Sequence, residues 1–146
     1  MGLSTNIQND LRRAMKDKNA ERVRALRMLA SAVKNEEIGK RPVVLEESDV
    51  IAVIRREIKK LKDAIGQFRQ VKREDLIKSY QAEADIFEEY LPAEMPEEDI
   101  RAMVKKKLSE SPDKSFGVVM KMVMQELKGR AEGGVVSRIV KEELAR

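Results

Sequence analysis

The stretch that decides the fold is IAVIRREIKKLKDAIGQF, residues 51–68. Its apolar residues recur in alternating steps of three and four, the spacing of one narrow seam along an α-helix. The members of this seam are Ile51, Ile54, Ile58, Leu61, Ile65 and Phe68. A helix with such a seam buries it against another helix, so the segment predicts helix-on-helix packing.

The following segment repeats this spacing after a charged break around residues 72–75. Its seam consists of Ile77, Tyr80, Ala84, Phe87 and Leu91. The short connection predicts an antiparallel hairpin whose two seams bury each other. Residues 55–73 carry eight Lys or Arg and two acids, whereas residues 74–99 carry one Lys and ten acids. Opposite charges should therefore face each other, which favours partner choice and orientation more than stability, because an exposed ion pair contributes only about 0–1 kcal/mol.

Two further helices are predicted before the hairpin. Ser4 or Thr5 is expected to cap the first, and Asn19 the second, because short polar side chains accept hydrogen bonds from the first turn. The second helix should stop near Gly39. Ser48 then precedes the long helix of the hairpin.

Three more helices are predicted after it. Leu91-Pro92 ends the hairpin, because proline cannot donate the helix hydrogen bond and disfavours helical geometry before it. Pro96, followed by three acids, starts the next helix. Gly129 ends the one after that, and Val135 to Leu144 form the last. The predicted fold is all-α, with an N-terminal helical domain over 1–93 that contains a long antiparallel helical hairpin, and a small C-terminal three-helix domain over 94–146.

Composition agrees with a helical chain and excludes much familiar chemistry. Of the 146 residues, 38% are charged and 3% aromatic, and there is neither histidine nor cysteine. Serine and cysteine nucleophiles activated by histidine are therefore excluded, as are thiolate and histidine metal sites. Acid pairs such as Glu88-Glu89 have no convergent third ligand, so we expect no metal, no cofactor and no catalytic residue.

The chain also shows no sign of membrane insertion. No apolar run reaches the roughly 18 residues of a membrane helix, and the beginning of the chain lacks a signal-peptide layout. We therefore expect a cytoplasmic protein without membrane contact.

A cationic, glycine-rich turn is the strongest candidate site. Lys128, Gly129 and Arg130 open the stretch KGRAEGG, residues 128–134. A guanidinium fork suits phosphate oxygens, and glycine lets a backbone approach closely, so these residues are candidates for RNA binding. The alternative is that Gly129 is a left-handed helix cap with basic neighbours at the negative helix end.

Other basic residues extend this hypothesis. The flanking candidates are Lys121, Arg138 and Lys141, which are otherwise solvated helix residues. Two further basic stretches are either solvated faces or RNA-binding faces. They comprise Arg12, Arg13, Lys16, Lys18, Arg22, Arg24, Arg27 and Lys34 in the first helix pair, and Arg55, Arg56, Lys59, Lys60 and Lys62 in the long helix. Because the formal net charge is only +4 and aromatics are few, an RNA site would depend on local charge segregation and phosphate contacts.

Several short motifs, in their order, resemble one family. They are Arg24 to Leu29 with Asn35-Glu36, Tyr90-Leu91-Pro92, Phe116 to Lys121, and Lys128 to Ala131. Together they resemble the stand-alone YqeY-like proteins and the tail domain of the B subunit of tRNA-dependent amidotransferases. The match covers nearly the whole chain. The chain departs from the family pattern in having Glu132 where Asp is usual and Gln125 where proline is frequent.

This resemblance implies contact with transfer RNA. In the amidotransferase, the tail domain is regarded as touching tRNA, while amidation takes place in other domains that bind ATP and magnesium. The leading interpretation is therefore a non-catalytic tRNA-binding or tRNA-metabolism accessory protein. The alternatives are a helper in glutamine-dependent amidation of misacylated tRNA, in contact with amidotransferase subunits or other translation proteins, and a helical protein–protein interaction module.

Overall fold

A computed structural model describes residues 2–146, which form seven α-helices and no strand. The helices are α1 (Leu3–Lys16), α2 (Ala20–Gly39), α3 (Glu47–Gln70), α4 (Glu74–Glu88), α5 (Glu97–Glu110), α6 (Phe116–Leu127) and α7 (Gly133–Leu144). The predicted all-α fold is confirmed. The chain divides into two compact units, Met1–Leu91 and Pro92–Arg146. That residues 1–93 and 94–146 are independent domains stays a prediction. None of the helices within residues 2–146 combines the length and apolar character that crossing a bilayer requires.

The first unit is built around the α3–α4 hairpin. Phe68 and Tyr80 pack edge to face near its tip, with ring centroids 5.0 Å apart. Lys62 Nζ lies 3.2 Å from Glu88 Oε1 near its open end. Phe68, near the end of α3, contacts Tyr80 in the first half of α4, whereas Lys62, earlier in α3, pairs with Glu88 at the end of α4. Contacts in this order are those of an antiparallel pair.

The seam of α3 lies at the centre of the first unit. Five of its six predicted members are buried and Phe68 is half-buried. Helices α1 and α2 cover the hairpin with their own apolar faces, so four helices share one core. Its buried residues are Ile7, Ala14, Ala25, Leu26, Leu29, Val33, Val50, Val53, Ile54, Ile58, Leu61, Ala84, Ile86 and Phe87.

The start of α1 differs from the prediction. The helix begins at Leu3 with Gly2 as its N-cap, so Ser4 and Thr5 lie inside the first turn and the predicted cap was wrong. The Leu3 amide instead donates to Glu47 Oε1 at 2.7 Å. Glu47, 44 positions away in the sequence, thus replaces a local capping residue. A local sequence pattern cannot show this contact.

The other two predicted starts are closer to the structure. Asn19 caps α2, as predicted, by accepting a hydrogen bond from the Arg22 amide. Helix α3 begins one residue before Ser48, because Glu46 and Asp49 form a reciprocal capping box.

The second unit packs α5, α6 and α7 around one apolar core. Helix α5 follows Pro96 and carries three acids in its first turn, as predicted. The core residues are Ile100, Val104, Val119, Val123, Leu127, Ala131, Val136, Ile139 and Val140. Ala131, which lies between α6 and α7, belongs to this core. Its burial fixes the position of the connection that contains the candidate site.

Candidate nucleic-acid interface

The α6–α7 turn, residues 128–132, reverses the chain through two consecutive left-handed residues. Lys128 has φ 51° and ψ 44°, and Gly129 has φ 83°. Gly129 is left-handed, as its interpretation as a helix cap required, but α6 already ends at Leu127 and its left-handed cap is Lys128. Glycine adopts this region freely, whereas a lysine does so at a cost of about 1–2 kcal/mol. The Lys128 amide donates to the Met124 carbonyl at 3.3 Å, which closes the end of α6.

The side chain of Arg130 folds back onto α6. Its Nε donates to the Leu127 carbonyl at 2.9 Å, and its Nη2 donates to the Glu126 carbonyl at 3.3 Å. The Arg130 carbonyl in turn accepts a hydrogen bond from the Met95 amide at 2.8 Å. Arg130 therefore shapes the turn, because it satisfies carbonyls that every helix end leaves unpaired.

Lys128 is exposed in the turn that leads to α7. Its side chain is exposed and makes no ion pair or hydrogen bond with residues 2–146. Gly133 and Gly134 begin α7, and a Cβ at either position would meet no atom within 4 Å. The side chain of Glu132, the N-cap residue of α7, makes no capping hydrogen bond. The turn thus combines an exposed ammonium with the start of a helix, two features that suit an anion, and the carboxylate of Glu132 lies at that same helix start.

The remaining candidates are spread along the unit. Lys121 is exposed on α6, two helical turns before Lys128. Lys141 Nζ lies 5.6 Å from the centroid of the Phe116 ring. Phe116 and Leu127 bound α6 and are about 17 Å apart at 1.5 Å per residue, so Lys141 is near the opposite end of this helix from Lys128.

Arg138 is held in a network of carboxylates. It donates to Glu97 Oε1 at 2.6 Å and to Glu142 Oε1 at 3.0 Å. These hydrogen bonds, the one to Glu97 first, raise the pKa of Arg138. Arg101 also binds Glu142, at 2.7 Å, and the buried Glu143, at 3.1 Å. The charge of Arg138 is thus balanced by acids of α5 and α7, and the structure does not bring it into the α6–α7 turn.

In the first unit, part of the basic charge is neutralised in the same way. Arg22 Nη1 lies 3.0 Å from Glu89 Oε2, and Arg24 Nε lies 3.9 Å from Glu83 Oε1. These pairs connect α2 to the α4 segment, so Glu83 and Glu89 face α2, whereas Glu88 faces Lys62 of α3. The expected pairing of α4 with α3 alone is incomplete, because sequence spacing does not show that α2 packs against α4.

What sequence reasoning missed is a groove of about 430 Å³ between α2 and α3. It brings the two basic stretches together, with Arg27 and Asn35 on one wall and Arg56, Glu57 and Lys60 on the other. The available signal was the i, i+4 spacing of exposed polar residues on both helices, but which faces would meet depends on tertiary packing.

The chain matches one protein family and a group of proteins that share one name. A family model described as Yqey-like protein matches residues 4–144. Three similar proteins are all named "Altered inheritance of mitochondria protein 41, mitochondrial". The one from Pyrenophora tritici-repentis is 33% identical over 142 residues, covering 93% of this chain and 77% of that protein. The Saccharomyces cerevisiae protein is 34% identical over 105 residues, 70% of this chain and 56% of that protein. The Kluyveromyces lactis protein is 31% identical over 124 residues, 83% and 66% of the two chains.

These names correct the expected localisation. The expected cytoplasmic location is contradicted, because the relatives are named as mitochondrial proteins. The reason is physical: a lack of apolar spans and of cysteine suits any reducing aqueous compartment and cannot distinguish the cytoplasm from the interior of an organelle. The chain spans a little over half the length of the yeast relative it matches.

Proposed function

This chain belongs to the Yqey-like protein family, and from that membership we propose that it is a non-catalytic tRNA-binding accessory protein whose α6–α7 turn contacts the RNA. The observation that carries the proposal is the exposed side chain of Lys128, which makes no ion pair or hydrogen bond with residues 2–146 and is held in left-handed geometry in the turn that leads to α7. A phosphate group there meets an ammonium and the positive end of a helix dipole together.

The candidate residues other than Lys141 divide into those that contact RNA and those that support the fold of the unit. Lys128 contacts phosphate, and Lys121 extends the contact along α6 by about 10 Å, two helical turns. Arg130 positions the turn, because its guanidinium binds the carbonyls of Leu127 and Glu126. Gly129 provides the left-handed reversal. Arg138 contributes to the stability of the helix unit through its carboxylate partners and is not part of the contact.

The absence of chemistry at the turn supports binding without catalysis. The whole chain contains no histidine or cysteine, and the turn offers lysine, arginine and glycine around a single carboxylate. Such a surface provides charge and hydrogen-bond donors for a polyanion, and phosphate contacts of this kind position a nucleic acid without reading its sequence.

The test exploits a second lysine in the same conformation. Lys72 follows α3 with φ 56°, so Lys72→Gly and Lys128→Gly each remove one charge and one left-handed side chain at a helix end. Binding of a tRNA transcript is measured by fluorescence anisotropy while salt is raised from about 50 to 200 mM. Lys128→Gly should weaken binding several-fold and make the negative slope of log K against log salt less steep by about 0.7–0.9. Lys72→Gly should change neither the affinity nor the slope.

Two results would contradict the proposal. Equal effects of the two variants would remove the turn from the RNA contact. No binding of tRNA by the wild-type chain at low salt would remove the function itself and favour a helical protein-interaction module.

A further inference from the structure

The α2–α3 groove brings basic side chains of two helices together. Arg27 lies on its α2 wall and makes no ion pair or hydrogen bond through its side chain with any residue that the structure describes. Arg56 and Lys60 face it from α3, one helical turn apart. Three cations therefore converge on one space from two helices, and only Glu57 of the lining residues opposes them.

Glu57 holds the two α3 cations in place. Its Oε2 lies 3.1 Å from Lys60 Nζ and 3.8 Å from Arg56 Nε. The side chains of Arg56 and Lys60 remain largely exposed, whereas that of Glu57 is mostly buried. Glu57 therefore fixes the position of the two cations while their charge stays accessible to solvent. Arg56 also donates from both Nη atoms to Glu36 Oε2 at 3.4 Å, so these three cations and two acids leave a formal surplus of one positive charge, which an anion in the groove would balance.

The shape of the groove selects a chain over a compact ligand. Most of its lining side chains, Arg27, Arg56 and Lys60 among them, are exposed, so it is open along one side. Small-molecule sites bury most of their ligand, which this groove does not allow. A polymer that passes through it needs only its backbone to be held.

Its chemistry suits a phosphodiester backbone. Ser31 and Asn35, on the α2 wall, make no side-chain hydrogen bond with residues 2–146 and provide a hydroxyl and an amide beside Arg27. Such groups bind phosphate oxygens and ribose hydroxyls in protein–RNA complexes. An acidic peptide would instead need apolar pockets for anchoring side chains, and the only large apolar side chain in the lining is Met28.

We propose that the α2–α3 groove is a second RNA-backbone site, in which Arg27 and Lys60 hold phosphate groups from opposite walls while Ser31 and Asn35 bond to the same strand. The choice of RNA as the ligand rests on the proposed function, but the site itself is separate from the α6–α7 turn. Two sites on one chain raise the affinity for a single RNA above that of either alone when the RNA spans both.

The experiment compares four variants of the full chain for binding to a tRNA transcript and to a short RNA duplex, again by anisotropy across salt. Arg27→Ala with Lys60→Ala removes the groove cations. Lys72→Ala with Lys78→Ala is the matched control, because it removes two exposed charges of the same unit outside the groove. Glu57→Gln removes the opposing charge at nearly constant shape, and Lys128→Gly reports on the turn.

We expect the groove variant to bind the tRNA transcript about five- to tenfold more weakly and the control variant less than about twofold more weakly. Glu57→Gln should bind about two- to threefold more tightly, an outcome that a purely structural role of the groove does not produce. Circular dichroism melting establishes that each variant is folded. All substituted side chains except Glu57 are exposed, so folding should persist.

The outcomes separate the two proposals. Groove and control variants that bind equally well, or a Glu57→Gln variant with unchanged affinity, would overturn the groove site and leave the function standing. Loss of binding in the groove variant together with unchanged binding in Lys128→Gly would support the groove and remove the turn. A wild-type chain that binds neither RNA at low salt would overturn both.

Discussion

The hydrogen bond between Tyr90 and Asp10 is the contact whose loss should most clearly affect the first unit. The Tyr90 hydroxyl donates to Asp10 Oδ2, joining the segment after α4 to α1 across 80 positions of the sequence. The ring of Tyr90 also packs, half-buried, against the core of this unit. Tyr90→Phe keeps the ring and removes only the donor, so it isolates the hydrogen bond.

The expected loss of stability follows from the charge and burial of the pair. A hydrogen bond to a charged group contributes about 1.5–3 kcal/mol, and half-burial favours the lower end, about 1.5 kcal/mol. For a unit of this size such a loss lowers the melting temperature by roughly 6–12 °C. Urea unfolding followed by circular dichroism measures the difference.

The pH dependence of the variant provides a second readout. Burial, and next the hydrogen bond to Asp10, raise the pKa of Tyr90 above its ordinary value of 10.0. The neutral phenol is thus favoured by folding, and its contribution is fully present below the unfolded pKa and lost as pH rises towards the folded one. The gap in stability between wild type and Tyr90→Phe should therefore narrow above about pH 10.

Tyr80→Phe is the matched control. The Tyr80 ring packs against Phe68, and its hydroxyl makes no hydrogen bond with the described residues. This variant should change stability by less than about 0.5 kcal/mol. A Tyr90→Phe protein as stable as wild type, or a Tyr80→Phe protein equally destabilised, would refute the reasoning.

Two other predictions concern the same core and the domain boundary. Burial raises the pKa of Glu83, whose ion-pair partner Arg24 is 3.9 Å away. Glu83→Gln should therefore stabilise the protein at pH 7, and this gain should disappear as pH falls below 4.5, where the carboxyl group is neutral in both states. A variant that is less stable than wild type at pH 7 would contradict this. Ile54→Ala should lower the free energy of unfolding by about 2–5 kcal/mol, because it opens a cavity in the core of the first unit. If residues 1–93 and 94–146 are independent domains, calorimetry should show two transitions, of which only one shifts in this variant. A single transition that moves as a whole would show that the two units fold together.

Much of the fold can be predicted from the sequence because helix signals are local. The spacing of Ile54, Ile58 and Leu61 defines a buried face along the helix. Pro92 excludes a continued helix because it lacks the backbone donor, but α4 already ends at Glu88, four residues before Pro92. Asn19 caps its helix through a neighbour three residues away. The start of α1 was mispredicted because its partner, Glu47, is 44 positions distant.

The candidate site shows the same division. Its cationic, glycine-rich composition is visible in the sequence, and a left-handed Gly129 was one of the two interpretations of the turn, but the residue that caps α6 is Lys128. The sequence does not show that Arg130 turns back onto α6 or that carboxylates surround Arg138. Both depend on where a long, flexible side chain finds its partner after the helices have packed.

The sequence by itself thus determined that this protein is a set of amphipathic helices with breaks at known residues. Tertiary structure alone decided which positive charges stay available, since it paired Arg22 and Arg138 with acids and brought Arg27 opposite Lys60. Burial of an apolar face depends on spacing along one helix, whereas the pairing of charges depends on distances between helices, and only the packed molecule sets those distances.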